Sequence, residues 1–195
     1  MPEPRTLVIM VKLPRAGRVK TRLGREMSMV SAAWWYRHQV RRLLRRLRDP
    51  RWRIVLAVSP DREGMRASLW SVDLQRIPQG HGDLGERMAR GLRFNARGPV
   101  CLIGSDIPGV QRHHIAEAFA MLGAQDAVFG PARDGGFWLI GLRLGALAKA
   151  DMFGATRWSH SETLAEAWAA LPFDRVGFVA TLSDVDRAAD LTQRS

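Results

Sequence analysis

The sequence predicts a three-layer α/β/α domain built on a mostly parallel sheet. Short apolar, β-branched runs alternate along the chain with stretches whose apolar residues recur at helical spacing. That alternation is the pattern of strands covered by helices on both faces. Hydrophobic residues make up 46% of the 195 positions, enough to bury a core without a disulfide or metal staple.

Taken in order, residues 6–11 read as a buried strand, followed by a loop with Pro14 and Gly17. Residues 28–47 read as a helix, because Trp34, Trp35, Val40, Leu43, Leu44 and Leu47 recur near helical spacing with arginines between. Residues 53–58 form a second strand, ended by Ser59-Pro60-Asp61. A short strand at 74–77 precedes a helix at 84–94, and a strand at 100–103 precedes a helix at 115–122. Strands at 127–129 and 137–142 flank a glycine-rich turn, and so few residues between them leave room for an antiparallel member. Ser159-His160-Ser161-Glu162 fits a capping box before a helix at 164–171. A last strand is expected at 176–179 and a last helix at 185–191. No repeat, low-complexity segment or linker interrupts the chain, so residues 1–195 are expected to form a single domain.

Composition narrows the function classes. The single cysteine, Cys101, lies in the apolar run Val100-Cys101-Leu102-Ile103 and reads as a small buried hydrophobe. The lack of a disulfide framework fits a reducing compartment, and a cytoplasmic location is expected. The start of the chain runs directly into a strand, which predicts no secretory leader. No apolar stretch reaches the roughly 18 residues of a membrane span. The formal net charge is +11, carried by 27 arginines and only three lysines, Lys12, Lys20 and Lys149. The densest basic run, residues 37–53, falls mainly on the first long helix. It reads as a solvated face, or as a surface for nucleic acid or membrane, although no nucleic-acid motif accompanies it.

In open sheets of this kind ligands bind outside the carboxyl ends of the strands. Four strand exits carry the informative residues. After the first strand comes a loop with Lys12, Arg15, Gly17, Arg18, Lys20 and Arg22. It matches neither a P-loop nor a Gly-x-Gly-x-x-Gly turn, but its cations suit a polyphosphate; the alternative is an exposed basic loop. After the third strand, Gln79-Gly80-His81-Gly82-Asp83 offers glycines for close backbone approach or positive φ. There Asp83 reads either as a ligand contact or as the cap of the next helix. After the fourth strand, Gly104-Ser105-Asp106-Ile107-Pro108 places a carboxylate where it can hold a divalent cation, or serve a local turn. Between the late strands, Asp134-Gly135-Gly136 reads as a site for a sugar or acceptor hydroxyl, or as an ordinary hairpin turn. Asp184 and Asp186 add two further carboxylates near the C-terminus, as metal ligands or a helix cap.

Together these residues resemble the bacterial radical-SAM/selenodomain-associated transferases, also called arsenosugar-biosynthesis glycosyltransferases. The resemblance rests on Lys20-Thr21-Arg22-Leu23, Gln79 with Asp83 to Met88, Gly104-Ser105-Asp106 with Pro108, Gly130-Pro131 with Asp134 to Gly136, Trp158-Ser159, and Asp184-x-Asp186 with Asp190-Leu191. These motifs span nearly the whole chain. The sequence departs from the pattern at Arg15 and Phe137, where relatives often carry proline and tyrosine, and Arg187-Ala188 replace a Thr-Pro pair. The resemblance implies a nucleotide-diphospho-sugar transferase fold (GT-A-like, Rossmann-like) and a metal-dependent glycosyltransferase using a nucleotide-sugar. On that reading Asp106, with Asp184 and Asp186, holds Mg²⁺ or Mn²⁺. Lys20 and Arg22 neutralise phosphate, supported by Lys12, Gly17, Arg18, Gly80 and Asp83. Asp134, Gly135, Gly136 and Trp158 meet the sugar or acceptor, and Lys20, Asp106 and Asp134 form the catalytic set. The alternatives are a nucleotidyltransferase that releases pyrophosphate, a basic nucleic-acid-binding module, and a degenerate fold member kept as a binding protein.

Overall fold

A computed structural model describes residues 4–183 and 185 of the chain. Its seven strands are β1 (Thr6–Lys12), β2 (Arg53–Ser59), β3 (Gln75–Pro78), β4 (Val100–Ile103), β5 (Ala127–Pro131), β6 (Phe137–Leu142) and β7 (Val176–Phe178). They form one sheet in the order β3-β2-β1-β4-β6-β5-β7. β6 pairs antiparallel with both β4 and β5, and every other pairing is parallel. The carboxyl ends of the parallel strands and the start of β6 therefore share one edge. The mostly parallel α/β architecture is the expected one, and β6 is its antiparallel member.

The central strand explains the layering. Leu7, Ile9 and Val11 are fully buried against one face, packed with Val40, Leu43 and Leu47 of α2 (Met29–Leu47) and Ile115 and Phe119 of α5 (Arg112–Met121). Val8, on the opposite side of the pleat, is buried with Met88, Ala89 and Leu92 of α4 (Leu84–Arg93) and Ala167 of α6 (Thr163–Ala170). Both faces of β1 are thus covered. Cys101 is fully buried and burial pushes its thiol up, which fits a packing role. No helix among the described residues is long and apolar enough to cross a membrane.

The differences from the sequence reading are local. Two short helices were not expected, α1 (Thr21–Met27) and α3 (Asp61–Arg66). α1 buries only Leu23 and Gly24, and α3 only Gly64, so neither displays an apolar period. α5 starts at Arg112, before the first apolar residue at Ile115, because its opening turn is polar. The capping box expected at 159–162 does not form. Ser159 has a left-handed backbone (φ 61), and Glu162 occupies the N-cap with no side-chain bond. Thr163 satisfies the local backbone instead, accepting from the His160 N–H at 3.1 Å and lying 2.7 Å from the Arg157 carbonyl. The helix expected at 185–191 lies outside the described residues, apart from Val185.

Candidate active site

The loop after β1 is fixed at both ends. At its start the Lys12 N–H donates to the Tyr36 hydroxyl at 3.0 Å, and that hydroxyl is 2.7 Å from the Ser105 hydroxyl. Tyr36 projects from the buried face of α2, and burial pushes its phenol up to about 12. It is therefore protonated throughout the neutral range and acts as a strut between the exits of β1 and β4. At the end of the loop Lys20 adopts a left-handed backbone (φ 45, ψ 50) immediately before α1. Its ammonium lies 2.7 Å from Oδ2 of Asp106, with the two side chains 8% and 32% exposed. Gly17 also has positive φ, +73, with open space around it. Lys12, Arg18 and Arg22 are exposed, whereas Arg15 is drawn away to Glu63 at 3.0 Å.

The exit of β4 is shaped for that ion pair. A Cβ at Gly104 would come within 2.9 Å of Asp106 Oδ1, so the glycine leaves room for the carboxylate to fold back over the strand end. The Asp106 carbonyl accepts from the Val185 N–H at 3.2 Å. The chain reaches that point by running beside the exit of β5. The Val179 N–H donates to the Phe129 carbonyl and the Leu182 N–H to the Pro131 carbonyl, at 2.9 and 3.1 Å, and the Trp138 indole donates to the Ala180 carbonyl at 2.9 Å. Asp184 and Asp186 themselves lie outside the described residues.

The β5–β6 turn is a tight structure. Asp134 is exposed, and its Oδ1 accepts from the Gly136 N–H at 3.0 Å. Gly135 has φ +88, and a Cβ there would sit 1.9 Å from the Ser161 carbonyl oxygen. The Leu164 N–H donates to the Gly135 carbonyl at 2.9 Å, so the turn is buttressed by the start of α6. Trp158 stands behind it, its ring edge-on to Phe137 and Phe153 at 6.3 and 5.6 Å, and packs where a Cβ on Gly85 would intrude.

The exit of β3 is occupied by the protein's own groups. Gln79 is buried, its amide donating to the Val11 and Ala57 carbonyls at 3.1 and 2.9 Å. Gly80 has φ +77, and the space beside it holds the Arg90 guanidinium, which donates to the Gln79 carbonyl. The Gly80 N–H in turn reaches the Asp61 carboxylate at 3.1 Å. Asp83 forms a full capping box with Glu86, each carboxylate accepting from the other's N–H at 2.8 Å.

The structure thus brings Lys20 to Asp106, and Lys12 to Ser105 through Tyr36. Gly80, Asp83 and Trp158 are each engaged in local packing or capping. Sequence reasoning missed Tyr36 as a site element. Its signal was present: it is the single tyrosine beside seven phenylalanines and seven tryptophans, and it sits on the buried face of a helix, where a hydroxyl needs a partner. Among the described residues no group of three or more His, Cys, Asp or Glu side chains could hold a metal by itself.

Comparison with known proteins gives a consistent picture. The family model described as an uncharacterized protein conserved in bacteria (DUF2064) matches residues 43–160, a span that includes Asp106 and Asp134 but not Lys20. A search of curated proteins finds no match. A solved structure from Desulfovibrio desulfuricans G20, provisionally named a nucleotide-diphospho-sugar transferase, is 30% identical with a TM-score of 0.82, over 96% of this chain and 84% of that one. The 4-diphosphocytidyl-2C-methyl-D-erythritol synthase of Anaerococcus prevotii DSM 20548 is 10% identical with a TM-score of 0.61, over 97% and 95% of the two chains. Glucosyl-3-phosphoglycerate synthase of Mycobacterium tuberculosis, solved with Mn²⁺, UDP and glucosyl-3-phosphoglycerate, is 13% identical with a TM-score of 0.52, over 97% and 74%. The last two likenesses are likenesses of fold.

Proposed function

The chain belongs to the family of uncharacterized proteins conserved in bacteria, DUF2064, and on that premise we propose that it is a metal-dependent cytoplasmic transferase. It acts as a single domain over residues 1–195 and moves a sugar from a nucleotide-sugar donor to an acceptor. The observation that carries the reading is the Lys20–Asp106 pair, 2.7 Å apart at the sheet edge where ligands of such folds bind. A carboxylate and an ammonium held side by side are the two charges that a diphosphate bridged by a divalent cation requires.

Asp106 fits a site for Mg²⁺ or Mn²⁺ of the kind completed by substrate phosphates, which needs only one or two protein carboxylates. Its carboxylate is a third exposed and already attracts a cation, the Lys20 ammonium. Asp184 and Asp186 are the further candidate ligands. The bound metal would neutralise charge building on the departing phosphate. Lys20, with Lys12, Arg18 and Arg22 around it and Gly17 giving the loop its turn, binds the diphosphate oxygens and stabilises the same charge from the other side. Gly80 and Asp83 shape the neighbouring wall. Asp134 hydrogen-bonds a sugar or acceptor hydroxyl, positioned by Gly135 and Gly136, with Trp158 fixing the turn from behind. The sugar C1–O bond breaks with its electron pair going to the nucleoside diphosphate, the acceptor oxygen bonds to C1, and the acceptor's proton is released.

The same cations serve nucleotidyl transfer, in which a nucleotide joins a phosphorylated acceptor and pyrophosphate leaves. Product analysis separates the two. Free nucleoside diphosphate from a nucleotide-sugar, in the presence of Mn²⁺ and acceptor, is the expected result, and pyrophosphate from a nucleoside triphosphate would replace this reading with the other.

A further inference from the structure

The carboxyl-terminal half of α2 carries a row of arginines that the carboxyl-edge site does not use. Arg41, Arg42, Arg45 and Arg48 line a groove together with His38, and the groove encloses about 580 Å³. That volume lies within the roughly 300–1,000 Å³ of small-ligand sites. The opposite wall is the segment before β3, where Trp70 and Leu74 give an apolar floor and Ser68 and Ser71 supply hydroxyls.

The charge is concentrated and largely unanswered. Arg48 is neutralised by Asp73, which takes its two guanidinium nitrogens at 2.6 and 3.1 Å. Arg41, Arg42 and Arg45 are exposed and form no ion pair with another described residue. Arg41 and Arg45 stand four residues apart on α2, so their side chains neighbour one another and repel. The helix dipole accounts for cations in the last turn, Arg45 and Arg46, but not for Arg41 and Arg42 further back. The Arg45 end of the groove also points away from the strand exits that Tyr36 joins. Arg45 lies nine residues beyond Tyr36, about 13 Å along the helix axis.

We propose that this groove is a second anion site, in which Arg41, Arg42 and Arg45 hold a phosphate group whose organic part rests on Leu44 and Trp70. Guanidinium forks match phosphate oxygens two at a time, and several forks converging on one concave surface suit a multiply charged phosphate better than a single carboxylate. The phosphate could come from a free metabolite or from a lipid headgroup. Exposed Trp34, stacked on His38 at 5.5 Å, gives the second source an apolar contact beside the groove.

The test is calorimetric titration of the full chain, in chelator, with inorganic tripolyphosphate, alongside sedimentation with phosphatidylglycerol vesicles. Wild type is compared with Arg41→Gln/Arg45→Gln and with Lys20→Ala/Arg22→Ala. Glutamine keeps the helix propensity, and a single Arg42→Gln, read the same way, covers loss of folding in the double variant. The groove variant is expected to lose tenfold or more in tripolyphosphate affinity at one site that the Lys20→Ala/Arg22→Ala variant retains. Loss of vesicle binding, with tripolyphosphate competing, assigns the headgroup as the source; loss of tripolyphosphate binding alone assigns a free phosphate. Groove variants that match wild type with both probes would overturn the proposal. So would variants that differ from wild type only in binding a DNA oligonucleotide.

Discussion

The Lys20 ammonium meets the Asp106 carboxylate at 2.7 Å, although one residue follows β1 and the other follows β4. The two strands are neighbours in the sheet, so their exits open side by side. The left-handed backbone of Lys20 ends the loop with its side chain turned inward, at 8% exposure, while Asp106 stays a third exposed. An arriving diphosphate with its cation would let each partner exchange the other for a stronger one, ammonium to phosphate and carboxylate to metal.

Replacing Lys20 or Arg22 by alanine should therefore weaken di- and triphosphate binding far more than nucleoside binding. Charge-assisted hydrogen bonds contribute about 1.5–3 kcal/mol each, so losses of roughly tenfold or more are expected. Titration of the variants with a nucleoside and its diphosphate measures the ratio. Equal losses for both ligands would mean that the loop shapes the pocket and does not read phosphate.

Asp106→Asn keeps the shape of the side chain and removes its charge. Lys20 then loses the charge of Asp106 beside it while that position keeps a hydrogen-bond acceptor, so a stability loss of about 1–2 kcal/mol is expected in urea denaturation. Manganese-dependent ligand binding should disappear. Unchanged Mn²⁺ affinity in the presence of nucleotide would remove Asp106 from the metal site.

Tyr36→Phe strips the Lys12 N–H and the Ser105 hydroxyl of a shared partner in a buried place, at a cost of about 1–3 kcal/mol. The pH dependence is a second signature. Burial raises the phenol of the folded state from 10.0 to about 12, so between those values the native state binds more protons than the unfolded state. Stability from this group is therefore complete below pH 10 and is lost as pH rises toward 12, by about 3 kcal/mol in total. The stability gap between wild type and Tyr36→Phe should shrink across that window. A gap independent of pH would contradict the buried-strut role.

The layered fold and most of its elements were legible in the sequence because they rest on apolar patterning, as in the wholly buried run of β1 or the stripe of Val40, Leu43 and Leu47 on α2. What patterning does not encode was not legible. α1 carries arginines around one buried leucine, and its start depends on the left-handed Lys20, a conformation with no compositional signature. The candidate site was legible to the level of strand exits, since glycines, cations and carboxylates cluster there. That Lys20 faces Asp106 follows from strand order, which places β4 beside β1. A lone tyrosine on the buried face of α2 signals that its hydroxyl needs a partner, but which two groups it joins depends on residues distant in sequence, Lys12 and Ser105. At the β3 exit, Gly80 shows the limit of reading glycines as ligand sites, since the space it leaves is filled by Arg90.

Gly135→Ala should be among the more damaging substitutions. The residue has φ +88, and the added Cβ would fall 1.9 Å from the Ser161 backbone oxygen. Strain at positive φ and a clash with backbone act together, so a loss of at least about 2 kcal/mol is expected in denaturation. A variant within about 0.5 kcal/mol of wild type would show that the β5–β6 turn is not pinned to the start of α6.

The central claim is that Asp106 and the cationic loop share one diphosphate through a divalent cation. The most direct measurement is the melting temperature of the chain with nucleoside diphosphates and nucleotide-sugars, each with Mn²⁺, with Mg²⁺ and with chelator. A ligand at about a hundred times its dissociation constant stabilises by about 2.7 kcal/mol, and each kcal/mol moves the midpoint of a chain this size by about 2–4 °C. At least one such ligand should raise the midpoint by several degrees when metal is present, with no rise in chelator or in Asp106→Asn. A rise that persists in chelator and in Asp106→Asn, or no rise with any nucleotide alongside a salt-sensitive rise with an oligonucleotide, would contradict it.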